Sequence, residues 1–195
     1  MLVGKFIDLV LQILGRNSQD FATDTREVSS TAELVIGAMT DQMHKADQEI
    51  PDGFYTSYVF PLFKDEKRNL LYAAPKPGFV ALSDSAGIRS IGYSESEVDS
   101  LIIIKAGQLN SIKNLEISTK KMAWTEGEKI FLKNVDPTLS EIRVLMIPKF
   151  SELNEDQDIF SNDTIALQVA DAVIARLAFK STPLKEDKSN DNNSD

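Results

Sequence analysis

The chain has no cysteine, one histidine and one tryptophan in 195 residues. Without cysteine there is no disulfide, no thiolate nucleophile and no cysteine-ligated zinc, and redox chemistry leaves the compartment unread. A lone histidine removes most of the acid-base partners that nucleophilic catalysis draws on. Basic charge is also short. Twenty-one Lys and Arg stand against 30 Asp and Glu, a formal charge of -9 with an isoelectric point near 4.7. Counterion release from a phosphate backbone needs clustered bases, so general nucleic-acid binding is disfavoured. Long apolar runs are lacking too. The amino-terminal stretch Met1 to Leu14 is broken by Asp8 and Gln12, meets no small-residue cleavage site and is too short to span a bilayer. These features predict a protein made in the cytoplasm, with no membrane anchor.

What is present is a soluble-type composition, 42% hydrophobic, in a length that suits one core with appended arms. Helical spacing of Phe6, Val10, Ile13 and Leu14 predicts a first helix ended by Gly15. A second helix is expected over Thr23 to Met43, capped by Asp24 with Glu27 in capping-box order. Its apolar face would run Val28, Ala32, Val35, Met39 and Met43. These two helices fill residues 1–50. From Phe54 the pattern turns to strands, because Tyr55, Thr56, Tyr58, Val59, Phe60 and Leu62 are aromatic or β-branched. Pro61 points to an edge or a strand end.

Further strands are expected near Phe79–Leu82, Ile88–Tyr93, Leu101–Lys105, Met122–Thr125, Lys129–Lys133 and Ile142–Ile147. Turns are signalled at Glu126-Gly127-Glu128 and at Asp136-Pro137. Residues 54–150 thus form a β body, an antiparallel sandwich or barrel. Residues 151–162 are acidic and read as a solvated linker. Residues 163–179 place Ile165, Val169, Val173 and Leu177 on one helical stripe. The remainder, 180–195, is too polar to order itself and would need a partner surface. The fold class is α+β, one globular domain with helical arms and an extended tail.

No set of side chains has catalytic spacing. His44 stands at the end of the second helix, where a polar or cationic group suits the carboxyl terminus. Asp156, Asp158 and Asp163 suggest calcium, but an EF-hand register from Asp156 puts Ser161 where Gly belongs and Leu167 where Glu belongs. Gly87 and Gly92 lack the Lys-Ser or Lys-Thr of a phosphate loop. Lys120-Lys121 and the run Lys64 to Arg68 read as solvated surface, and Trp124 with Phe131 as core packing. No enzyme activity, metal or cofactor is expected.

The segment Leu70 to Tyr93, LLYAAPKPGFVALSDSAGIRSIGY, resembles ring proteins that extend the portal at the head-to-tail junction of crAss-like phages. The shared pattern is Tyr72 and Pro75, the apolar Val80 to Leu82, a polar turn, then Gly87-Ile88, with Ala74 where Leu is expected. A helical pair before the β body, a closing helix and the tail are similar as well. In that tail the resemblance singles out Thr182, Pro183, Leu184, Lys185, Glu186, Asp187, Lys188, Asn190, Asp191 and Asn192 as contacts to a portal or neighbouring subunit.

The resemblance implies a non-enzymatic virion protein, a dodecameric homo-oligomeric ring that docks to the portal and touches further tail or ring proteins. DNA would pass through its channel without specific binding, and an acidic wall suits that passage. The helices carrying Phe6, Val10, Ile13, Val169 and Val173 are expected to share the ring contacts with the tail. Alternatives are a tail hub or muzzle component, a cytosolic β-barrel binding module and, with the least support, a small-molecule hydrolase.

Overall fold

Apolar residues at i, i+3, i+4 and i+7 wind Val3–Ile13 into α1, which buries Val3, Phe6, Ile7, Val10 and Leu11. The computed structural model describes residues 1–15, 21–82, 87–93, 100–104 and 120–181, with side chains omitted at 21–23, 180 and 181. Gly15, at φ +63°, closes α1, its N–H donating to the Gln12 carbonyl at 3.1 Å. Ile13 departs from expectation and is 56% exposed, because it lies off the line through residues 3, 6, 7 and 10.

Helix α2 spans Phe21–Lys45 and starts before the expected Thr23, so Asp24 sits inside its first turn rather than ahead of it. An acid there still complements the helix dipole. Val28, Ala32, Val35 and Ile36 are buried, whereas Leu34 is 56% exposed. Helix α3, Asp163–Ser181, begins as its sequence signals: the Asn162 side-chain oxygen accepts the Thr164 N–H at 2.7 Å. Ile165, Val169, Val173 and Leu177 are buried in the expected stripe.

The three helices pack on one another around an aromatic cluster. Phe6 meets Phe150 at 5.4 Å and Phe160 at 5.9 Å, and Phe54 meets Phe160 at 6.2 Å. Phe150 precedes the acidic segment 151–162 and Phe160 lies within it; its four acids are exposed as a solvated linker would have them, but the segment is no free linker. Val3 N–H donates to the Gln157 carbonyl at 3.0 Å, Gly4 N–H to that of Glu155 at 2.9 Å and Ile159 N–H to that of Met1 at 3.1 Å. Ile159 and Phe160 are buried while Glu152, Glu155, Asp156 and Asp158 stay at least partly in water. Two apolar side chains and a row of backbone bonds therefore bind the segment to the opposite end of the chain.

Seven described strands form one sheet: β1 Thr56–Asp65, β2 Leu70–Ala73, β3 Ile88–Tyr93, β4 Ile102–Ile104, β5 Met122–Glu126, β6 Lys129–Lys133 and β7 Glu141–Met146. Their spatial order is β3-β7-β1-β2-β6-β5-β4. The two ends approach each other through a Gly92–Ser100 bridge and a Leu101 N–H to Ile91 carbonyl bond of 2.7 Å. The sheet is thus a nearly closed barrel. β1 serves two neighbours, β7 over Thr56–Pro61 and β2 over Leu62–Asp65, so Pro61 marks the hand-over. All described pairs are antiparallel except β4 with β5, which run parallel. Phe79–Leu82 contributes a bridge between Phe79 and Pro148 instead of a full strand.

Alternation decides the barrel interior. Ile142, Val144 and Met146 of β7 are fully buried with Phe60, Ala73, Ile91, Ala123, Ile130 and Leu132. Gly127, at φ +61°, makes the β5–β6 turn. A β-bulge between Ile88 and Ser90 turns out Arg89, which pairs with Asp52 and, at 3.1 Å, with Glu49. This arginine joins the barrel to the segment leaving α2. Among the described residues, no helix is long and apolar enough to cross a membrane.

Candidate interaction surface

Because Ala123, Ile130 and Leu132 point inward, their neighbours Trp124 and Phe131 must point outward. The indole and the Phe131 ring stack at 5.8 Å on the outer face of the sheet, where both are buried in a small apolar cluster with Ile104 and Met122, the core packing expected for them. The row continues across directly paired residues, Phe131 to Tyr72 at 5.8 Å and Tyr72 to Phe63 at 5.7 Å. Such cross-strand contacts are the unit that stabilises a sheet. The row is covered at Trp124 and Phe131 and open at Phe63, which is 47% exposed. Val59, on the same side of β1, is 48% exposed.

Cations border this row. Arg68 lies 5.1 Å from the Phe131 ring centre and Lys129 lies 4.5 Å from that of Tyr72. The run Lys64 to Arg68 is therefore more than solvated surface at its last member. Arg68 also pairs with Glu126 and holds that carboxyl below the usual carboxylate range, first through the hydrogen bond and then through its charge. Near the joint between the layers, Lys149 bonds Glu128 at 2.6 Å, which raises the ammonium pKa and lowers that of the carboxyl.

A second unpartnered surface lies on the helical layer. Val35, Ala38 and Met39 of α2 face Ala172, Ala175, Arg176 and Phe179 of α3 across an open groove of about 590 Å³. Small residues keep its floor low. Phe179 is 84% exposed, the highest value among the large exposed hydrophobic residues. The buried stripe 165, 169, 173, 177 does not include 179, and that offset was the available sequence signal for an outward aromatic residue. Nothing in the periodicity of α2 marked Ala38 as part of a groove, since that needs α3 alongside.

The residues singled out from the sequence are placed as follows. Thr182 to Asn192 lie outside the described residues. On the helices expected to share ring contacts, Phe6, Val10, Val169 and Val173 are fully buried and Ile13 faces outward. Their apolarity serves the core of this subunit. His44 is in the last turn of α2. Asp158 and Asp163 lie 3.5 and 3.9 Å from the Met1 amine. Among the described residues no three His, Asp or Glu side chains are grouped to hold a metal ion.

Burial pushes the Tyr58 pKa up to about 12, with the charge of Asp158 adding to it, and among the described residues the Tyr58 hydroxyl has no hydrogen-bond partner. Neither a family model nor a curated protein matches this chain.

Proposed function

We propose that the chain is a non-enzymatic structural subunit that joins copies of itself head to tail. The closed form of such an assembly is a ring, and the resemblance at Leu70 to Tyr93 suggests its setting, a phage head-to-tail connector. That ring would be dodecameric, dock to the portal, pass contacts to further tail proteins and extend the DNA channel within the virion. The observation that carries the reading is the pair of unlike apolar surfaces on one subunit. One is a groove between helices ending at Phe179; the other is a strand ridge at Val59 and Phe63. A heterologous interface uses two different patches, one from each neighbour, and closes into a ring when the rotation permits.

The test is the native mass of the purified chain, alone and mixed with a candidate portal. A ring-sized species, or one formed only with the portal, supports the reading. A monomer under both conditions overturns it. Binding to a tail hub or muzzle protein in place of the portal would move the subunit along the same particle.

A second reading, a β-barrel binding module, draws on a hollow of about 360 Å³ on β1, β7 and β3 lined by Ser57, Ser90, Tyr93 and Arg143. A ligand that copurifies with the monomer would favour it.

A further inference from the structure

We infer that, in the head-to-tail assembly on which this inference rests, the groove between α2 and α3 of one copy receives the outer ridge of β1 from the next. The groove is open, shallow and apolar, lined by the small residues Ala38 and Ala175, with Phe179 near one end. The ridge offers an apolar surface to match it. Val59, Pro61 and Phe63 follow one another at every second residue of β1, so their side chains share one face, and all three are exposed.

Charge selects a second copy as the occupant. Among the described residues, 1–15, 21–50 and 151–181 contain thirteen acidic and five basic residues. Those described within 51–150, which include every strand of the barrel, contain seven acidic and eleven basic ones. One subunit therefore joins an acidic helical part to a basic sheet part, and two of its bases lie along the aromatic row that continues from the ridge. Lys129 lies over Tyr72, the direct neighbour of Phe63, and Arg68 over Phe131, the next in the row. On the other side Asp171 is exposed one turn before Ala175, while Arg176 finds its opposite in Glu141, the residue paired with Pro61.

Two copies facing the same way round a ring would bring the acidic layer of each against the ridge of the next. Complementary potentials fix orientation and exclude the two like-to-like pairings. An apolar anchor inside a charged rim is also the anatomy of a specific interface.

Two variants test this without touching either core, because Phe63 and Ala175 are both exposed. Phe63→Glu spoils the ridge and leaves the groove; Ala175→Glu spoils the groove and leaves the ridge. Each variant alone is expected to lose self-association by at least about thirtyfold in Kd, the loss typical of a central anchor. Mixed in equal amounts they keep one intact groove and one intact ridge, so sedimentation should show a heterodimer and nothing larger.

Circular dichroism like that of the unaltered protein establishes that each variant is folded. Raising the salt should weaken assembly of the unaltered chain, because exposed charges are screened. If both variants assemble as the unaltered chain does, the assigned faces are wrong and head-to-tail assembly survives. The assignment also fails if the mixture gives no heterodimer while the unaltered chain assembles. If the unaltered chain stays monomeric with and without the portal, the assembly reading fails and this inference with it.

Discussion

The helical layer and the barrel are both apolar inside, but the chain reaches those interiors by different routes. In the barrel two hairpins are local, β1 into β2 through Glu66 to Asn69 and β5 into β6 through Gly127-Glu128, whereas β1–β7, β3–β7 and β2–β6 join strands far apart in the sequence. In the helical layer Phe6 packs on Phe150 and Phe160, and residues 1–4 bond residues 155–160. The barrel combines two local hairpins with distant strand pairings, while the helical layer rests on contacts between the two ends of the chain. Loop closure must be achieved before such distant contacts contribute. Both regions therefore depend on distant contacts, and Trp124 and helix ellipticity supply separate probes of the two.

The largest expected effect is at Phe6. Truncation in Phe6→Ala removes a fully buried ring from the helical core and should cost about 3–5 kcal/mol in denaturant unfolding. Far-UV ellipticity should then be lost at lower denaturant than Trp124 fluorescence changes. Coincident transitions would instead make the two regions one cooperative unit.

Next comes Gly87, at the seam between the layers. Its N–H bonds the Val80 carbonyl at 2.7 Å and its carbonyl accepts the Ile147 N–H at 2.8 Å. A Cβ there would lie 2.8 Å from the Val80 oxygen, so Gly87→Ala should cost about 1–3 kcal/mol, as overpacking does. Both probes should shift together, because the seam belongs to both regions.

Inside the barrel, Ile142→Val removes one methyl group from a fully buried residue and should cost about 0.5–1.5 kcal/mol. Fluorescence and ellipticity midpoints that fell equally would again argue for a single unit.

The smallest effect at neutral pH is at Tyr58. Its folded pKa of about 12 lies above the ordinary value of 10.0, so between these values the folded state keeps a proton that the unfolded chain has released. The resulting stability is present below pH 10 and is lost as pH rises towards 12. Tyr58→Phe should leave the melting temperature near neutrality unchanged or slightly higher, since the hydroxyl it removes has no partner among the described residues. It should flatten the alkaline decline. An unaltered decline in the variant would assign that slope to another group.

Much of the fold was legible. The stripe Ile165, Val169, Val173, Leu177, the alternation of Ile142, Val144 and Met146, the turn at Gly127 and the helix end at Gly15 all follow from period and backbone preference. The candidate surfaces were far less legible. Phe63 and Val59 read as ordinary strand residues, and Ala38 with Ala175 become a groove only when two helices lie side by side. The resemblance drew attention to residues 182–192, which lie outside the described residues, and to helical residues that the core claims.

The sequence by itself determined the kind of most described elements, the absence of any cysteine chemistry and the acidic balance of the chain, because these depend on residue type and local spacing alone. Tertiary structure decided which side of each element meets a core. It buried Trp124 and Phe131 in a second cluster on the far side of the sheet from the barrel interior, ran β4 parallel to β5 and drew the acidic segment 151–162 against the amino terminus. A period says which side chains share a face, but whether that face is buried depends on distant parts of the chain arriving opposite it.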